Sequence, residues 1–222
     1  LTQVVAVIFD LDGTLIDSAG DLQVAANRVL NRFGCAPLSP AEFRSMFGDG
    51  VGALIARALA ARQCPVPDQE ALRLFIAHYE ADLTTLTRAY SGVQGMLEIL
   101  DSRGLKLAVC TNKPIALTHV ILERLALDRY FTHVVGGDSN PFRKPDPRVL
   151  LEMLAALQTS SAASVFVGDS EVDAATAAAA GVPFVLMTHG YHRGPVGEIP
   201  CIAALEHFER LAEFLAGGGR DA

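Results

Sequence analysis

Two hydrophobic periods divide the chain. Val4-Val5-Ala6-Val7-Ile8-Phe9 is apolar at every position and rich in β-branched residues, which predicts a strand buried on both faces of a parallel sheet. From 16 to 89 the period is helical, and no strand is legible there. Leu22, Ala25, Ala26, Val29, Leu30 and Phe33 share one helical face, and Gly34 is placed to end that helix. Ser39-Pro40-Ala41-Glu42 starts a second helix, with Ser as N-cap, Pro in the first turn and Glu at the capping-box position. Gly48-Asp49-Gly50 breaks the pattern before Leu54, Ile55, Ala58 and Leu59 resume it. Pro65 and Pro67 break it again, and Asp68 starts a helix through Leu72, Phe75, Ile76 and Tyr79.

From 93 onward strands and helices alternate. Strands are predicted at 105–110, 134–135, 165–167 and 183–187, the last taken as the final strand of the sheet. Between them run helices through Met96 and Leu100, Leu117 and Leu125, Leu150 and Leu157, and the alanine-rich stretch 172–180; a last helix carries Leu205, Phe208, Leu211 and Leu215. Such alternation predicts an α/β fold, a doubly wound, Rossmann-like parallel sheet with helices on both faces. The helical stretch then reads as an inserted cap domain, 16–89, on a core made of 1–15 and 90–222.

Composition narrows the function classes. Half of the 222 residues are hydrophobic, the formal net charge is −7, and lysine occurs only at 106, 113 and 144. With no basic patch, nucleic acid is not expected as a partner. No apolar run reaches the ~18 residues that span a bilayer, and no signal-like segment is legible at the start. Cys35, Cys64, Cys110 and Cys201 form no C-x-x-C pair; they read as reduced thiols of a cytoplasmic protein, with Cys110 as a buried packing group.

The polar residues of interest fall where predicted strands end, and ligands of open parallel sheets bind beyond those ends. Asp10 and Asp12 follow the first strand, Thr111 and Asn112 the second; Lys144 lies after the third, and Gly168-Asp169-Ser170 follows the fourth, with Asp173 one helical turn on. Hard oxygen ligands of this kind suit Mg²⁺, and a lysine with a threonine would meet a phosphate. Ser170 and Asp173 are also spaced as a capping box. Asp17 and Ser18 read as helix-start residues, His189 and His192 as loop residues, and Arg193 as a loop residue within reach of an anion. The glycines of 48–50 would let backbone amides at a helix start approach an anion such as a carboxylate, which makes Gly50 a substrate-binding candidate.

Asp10-Leu11-Asp12-Gly13-Thr14, Thr111-Asn112, Lys144-Pro145 and Gly168-Asp169-Ser170 with Asp173 stand in order along the chain. This set resembles the four motifs of the haloacid dehalogenase-like hydrolase superfamily. Phe9 to Asp21, Ala108 to Pro114, and Val134 to Pro147 with Phe166 to Thr176 narrow the resemblance to bacterial phosphatases acting on 2-phosphoglycolate. The resemblance implies that Asp10 is the nucleophile and Asp12 the general acid–base, while Thr111 and Lys144 bind the transferring phosphoryl group. It further implies Mg²⁺ held by Asp10, the backbone carbonyl of Asp12 and Asp169, with Asp173 holding the metal's waters or orienting Lys144. The implied partner is a small phosphomonoester and the implied assembly a monomer or homodimer. A sugar phosphatase, a pyrophosphatase and a phosphosugar mutase share the same core motifs. A phosphonate-cleaving relative would need a lysine in the cap, and none precedes Lys106.

Overall fold

The computed structural model describes residues 4–47 and 49–218. In chain order the strands are β1 (Ala6–Phe9), β2 (Ile16–Asp17), β3 (Arg88–Ala89), β4 (Lys106–Cys110), β5 (His133–Val135), β6 (Ser164–Gly168), β7 (Phe184–Met187) and β8 (Ala203–Leu205). The helices are α1 (Ala19–Arg32), α2 (Pro40–Arg44), α3 (Val51–Ala61), α4 (Asp68–Ala81), α5 (Val93–Ser102), α6 (Ile115–Arg124), α7 (Arg148–Ala156), α8 (Glu171–Ala180) and α9 (Phe208–Glu213).

Six strands form one parallel sheet in the order β5-β4-β1-β6-β7-β8. Successive side chains on a strand point to opposite faces, and the two faces pack into separate cores. Val7, Phe9, Leu107, Val109, Val165, Val167, Val185 and Met187 face α5, α6, α9 and the helices that precede β3. Ala6, Ile8, Ala108, Cys110, Phe166, Phe184 and Leu186 face α7 and α8. Both sides are thus covered, which is why the strands read as continuous apolar runs rather than alternating ones. The chain leaves β1 for β4 and β5 on one side and returns to β6 on the other, so the strand order reverses at β1 and a crevice opens at its carboxyl end.

Four helices, α1 to α4, lie between β2 and β3 and follow the predicted apolar faces, with Leu22, Ala25, Ala26, Val29 and Leu30 of α1 buried against Ala71, Phe75 and Tyr79 of α4. Each such fully buried Leu or Val contributes about 1.5–3 kcal/mol. The capping box at Ser39 and Glu42 is formed, and Gly34 takes φ +71° just past α1, a conformation open to glycine without steric cost.

Three expectations are corrected. The stretch 16–89 is not free of strands: Ile16 and Asp17 pair antiparallel with Ala89 and Arg88, in strands of two residues that are too short to show a period. The sheet does not end at 187. Ala203–Leu205 adds a sixth, edge strand beside β7, and its small, half-exposed residues carry no strand signal; Leu205 therefore belongs to this strand and not to the last helix. Finally, Cys35 and Cys64 are joined in a disulfide, whereas Cys110 is free and buried and Cys201 is free. The pair joins the end of α1 to the end of α3 across 29 residues, a separation at which spacing alone gives no pairing signal. The reading of all four cysteines as reduced thiols is withdrawn, and with it the cysteine argument for a reducing compartment. Among the described residues, no helix is long and apolar enough to cross a membrane.

Candidate active site

β1 is buried at every position and delivers Asp10 directly into the crevice. Lys144 Nζ lies 2.8 Å from Asp10 Oδ1 and 2.6 Å from Asp173 Oδ1, with a side chain that is only 3% exposed. The approach to Asp10 has the distance of an ion pair without the alignment of a hydrogen bond, so the buried Oδ1 has no directed donor. Asp173 is used twice. Its Oδ1 receives Lys144, while its Oδ2 accepts from the Ser170 backbone and hydroxyl, so the capping box and the contact with lysine coexist. Asp169 accepts from Thr14 Oγ1 at 2.8 Å and from the Tyr191 backbone N–H at 2.6 Å.

Carboxylate oxygens of Asp10, Asp169 and Asp173 lie within 4.8 Å of one another, all buried. Of these three carboxylates, Asp10 and Asp173 share the one Lys144 ammonium, and Asp169 has no cation against it among the described residues. Burial pushes the Asp10 carboxyl up to about 6 although the Lys144 charge pulls it down. Burial also raises Asp169 well above the carboxylate range, helped by the negative Asp173 and Asp10. For Lys144 burial works against the charged form, yet Asp10 and Asp173 hold it above the ordinary lysine value. An uncompensated buried charge is strongly unfavourable, and a hard divalent cation is the partner that such an all-oxygen set fits. The Asp10 carboxylate, with one charged neighbour 2.8 Å from Oδ1 and no aligned donor to that oxygen, meets the same test.

Asp12 points elsewhere. Its carboxylate accepts from Ser18 Oγ at 2.5 Å and from Lys113 Nζ at 2.9 and 3.1 Å, so its side chain is outside the three-carboxylate group. Ser18 occupies the N-cap position of α1, but its hydroxyl makes no cap bond. The α1 start is instead satisfied by Tyr191 Oη, which accepts from the N–H groups of Ser18 and Ala19, and by Asp17 Oδ1, which accepts from Ala19. Thr111 is buried, with Oγ1 accepting from the Lys113 N–H. Asn112 Nδ2 donates to the Lys144 carbonyl, and its buried Oδ1 has no protein partner. Gly50 precedes α3 at φ +84°, and an added Cβ would come 3.4 Å from the Asn112 carbonyl. Gly48 lies outside the described residues.

Asp10, Asp12, Thr111, Asn112, Lys144, Asp169 and Gly50 all line one cavity of about 60 Å³, and Asp173 sits behind Lys144. The wall supplied by the segment between β2 and β3 is apolar: Leu22, Phe47, Val51 and Leu54. His189 and His192 are not in it. His189 packs against Tyr90 and Phe208, and His192 bonds to loop carbonyls. Arg193 Nη2 reaches Asp49 at 3.1 Å, joining the loop after β7 to the helical segment.

Four contributors carry no motif signal. Lys113 is buried between Asp12 and Tyr79 of α4, whose hydroxyl accepts from Nζ at 2.7 Å. Burial disfavours the Lys113 charge, yet Asp12 and Tyr79 hold it above the ordinary lysine value. Tyr191 packs against Phe47, the rings tilted by 37° with centres 4.2 Å apart. A Cβ at Gly190 would sit 2.2 Å from Asp169 Cβ. For Lys113 alone a clue existed, its place directly after Thr111-Asn112 in a chain with three lysines.

A buried aspartate at the end of β1, a buried lysine against it and a cluster of carboxylate oxygens beside both fit a phosphate-processing α/β hydrolase. The family model of haloacid dehalogenase-like hydrolases matches residues 7–187, and the chain belongs to that family; it is a phosphatase. At the level of individual relatives, it is 46% identical to a phosphoglycolate phosphatase of Cereibacter sphaeroides (strain ATCC 17025) over 213 residues, 94% of this chain and 96% of the relative. It is 42% identical to the phosphoglycolate phosphatase of Rhodospirillum rubrum over 97% of this chain and 94% of that one. Among solved structures, a predicted phosphoglycolate phosphatase from Haemophilus somnus 129pt superposes with a TM-score of 0.92 at 29% identity, covering 98% of this chain and 99% of that one.

Proposed function

We propose that this phosphatase hydrolyses 2-phosphoglycolate to glycolate and phosphate through an aspartyl-phosphate on Asp10. The observation that carries this reading is the meeting of Asp10, Asp12, Thr111 and Lys144 in one small cavity, in a chain so similar to enzymes named phosphoglycolate phosphatase. Asp10 attacks phosphorus, and the bond from phosphorus to the leaving oxygen breaks. Asp12 gives that oxygen a proton; it then takes one from the water that cleaves the acyl phosphate and regenerates the Asp10 carboxylate. Lys144 and Thr111 hold the phosphoryl oxygens through both steps. Asp10, Asp169 and the backbone carbonyl of Asp12 would hold Mg²⁺, with Asp173 next to them, and the ion supplies the neutralising charge that lets an anionic nucleophile meet an anionic ester.

In this reading 16–89 is a cap on a core made of 1–15 and 90–222, and the cap selects the substrate. Its side of the cavity is apolar, and the two cations that line the cavity, Lys144 and Lys113, are each already paired with carboxylates, which favours a small monoester over a bisphosphate. The N-terminus of α3 at Gly50 offers backbone N–H groups and a partial positive charge to a substrate carboxylate. The test is phosphate release with and without Mg²⁺ across 2-phosphoglycolate, sugar phosphates and pyrophosphate. Preference for 2-phosphoglycolate, lost with a chelator, is expected. A sugar phosphate or pyrophosphate cleaved faster would overturn the substrate assignment and leave the phosphatase in place. Activity untouched by chelation would overturn the role of the ion.

A further inference from the structure

Lys113 is a second buried lysine in this site, and it does not touch the nucleophile. Its side chain is 1% exposed, and Nζ bonds both oxygens of Asp12 and the Tyr79 hydroxyl. A buried ammonium is expensive to maintain unless its donors are satisfied; here the acceptors come from two parts of the chain. Asp12 belongs to the turn after β1, and Tyr79 belongs to α4 of the cap. Tyr79 is itself fully buried, stacked on Phe75 with ring centres 5.9 Å apart, and its ring lies under the same ammonium at 4.7 Å.

We propose that Lys113 is the positioning residue for Asp12, and that Tyr79 makes this positioning depend on the cap being seated. The inference rests on the reading of Asp12 as the proton donor and acceptor. A carboxyl group that must deliver a proton to one oxygen and later collect one from water needs a fixed direction, because misplacement by an ångström is costly to rate. Two fixed donors, Lys113 Nζ and Ser18 Oγ, set that direction. Ser18 stands at the entry to the cap and Tyr79 within it, so Asp12 is aimed from the cap side on both counts. When the cap lifts, Tyr79 leaves Lys113 and the ammonium loses one of its two anchors. Proton transfer is then supported only over a closed site, where water is excluded.

Leaving-group dependence separates this role from simple support of the fold. p-Nitrophenolate departs without protonation, whereas an alkoxide needs a proton. Single-turnover release, and KM and kcat at steady state, are measured with Mg²⁺ for p-nitrophenyl phosphate and for whichever alkyl phosphate of the panel is cleaved fastest. The proteins are wild type, Asp12→Asn, Lys113→Met and Tyr79→Phe. Lys113→Met is expected to slow the alkyl ester about 100-fold and the nitrophenyl ester less than about fivefold, with KM within about twofold for both. Tyr79→Phe keeps the ring and should show the same selectivity at about five- to tenfold, the loss of one hydrogen bond. If Lys113→Met and Tyr79→Phe slow both esters equally, Lys113 is structural and the inference falls. If Lys113→Met raises KM and leaves kcat unchanged, Lys113 binds substrate and the inference falls as well. If Asp12→Asn itself shows no discrimination between the esters, the reading of Asp12 is at fault and takes this inference with it. Discrimination in Asp12→Asn without any in Lys113→Met overturns the inference alone.

Discussion

Replacing Asp10 by Asn should abolish turnover and stabilise the metal-free protein. Burial raises the Asp10 carboxyl from 3.8 to about 6, about two units, and each unit corresponds to about 1.4 kcal/mol. The direction follows from proton counts. As pH rises through 3.8 the unfolded chain releases its proton while the folded chain keeps it until about 6, so folding loses stability across that window and does not regain it above. At pH 7.5 the penalty is about 3 kcal/mol. Asn removes the charge and the penalty, but it also leaves Lys144 with Asp173 as its one remaining carboxylate partner, which returns part of the gain. For a chain of this size 1 kcal/mol moves Tm by about 2–4 °C, so the ceiling is about 6–12 °C and a rise of several degrees is expected. Thermal denaturation in a chelator at pH 7.5 and pH 4 reads it. The rise should be present at the first pH and mostly gone at the second, where wild-type Asp10 is itself protonated. Adding Mg²⁺ should raise the wild-type Tm and move that of Asp10→Asn much less. A lower Tm for Asp10→Asn at pH 7.5 would refute the reasoning, because the ion pair with Lys144 would then outweigh desolvation.

Gly190→Ala would drive a methyl group into the Asp169 carboxylate, 2.4 Å from Oδ2; Mg²⁺ titration of activity should show affinity lowered about 10–100-fold, as when a group that orients a metal ligand is disturbed, and unchanged affinity would contradict the role given to Asp169. Replacing Cys35 and Cys64 by Ser opens a closure of 29 residues and should lower stability by about 3–4 kcal/mol on the chain-entropy account, read as a lower Tm that reductant reproduces in the wild type but not in the variant. Arg193→Gln cuts the bridge from the loop after β7 to Asp49, between α2 and α3. The pair is partly exposed, so stability should change by less than about 1 kcal/mol. Steady-state kinetics should show KM raised severalfold with kcat nearly intact if the bridge favours the closed cap, and no change in either constant would dismiss that idea.

What was legible in the sequence was what repeats or what is long. Sheet strands buried on both faces and helices of nine residues or more announce themselves by period, and the apolar runs ending in Asp10, Thr111 and Asp169 placed those residues at one edge of the sheet. The missing pieces are short or depend on distant partners. The two-residue strands at Ile16 and Arg88 are defined by each other, and Ala203–Leu205 is a strand because β7 lies beside it. Ser18 looked like a helix cap because its position is one, yet Asp12 takes its hydroxyl and Tyr191, 173 residues away, does the capping. Lys113 and Tyr79 are 34 residues apart, and no local pattern brings them together. Gly190 matters through the space it leaves for Asp169, which only a packed structure reveals.

The ribbon of β2 and β3 has a consequence for how such an enzyme changes over evolutionary time. The segment between β2 and β3 begins at Ile16 and ends at Ala89, and these two residues are paired neighbours. To the rest of the molecule the whole insertion is a loop whose ends already touch. Lengthening, shortening or exchanging it alters closure entropy only slowly with length and requires no strand of the main sheet to move. On the proposed reading, Asp10, Thr111 and Asp169 after β1, β4 and β6 would stay in register beneath a different insertion, so new substrates could be acquired by swapping that segment while the chemistry below is inherited intact.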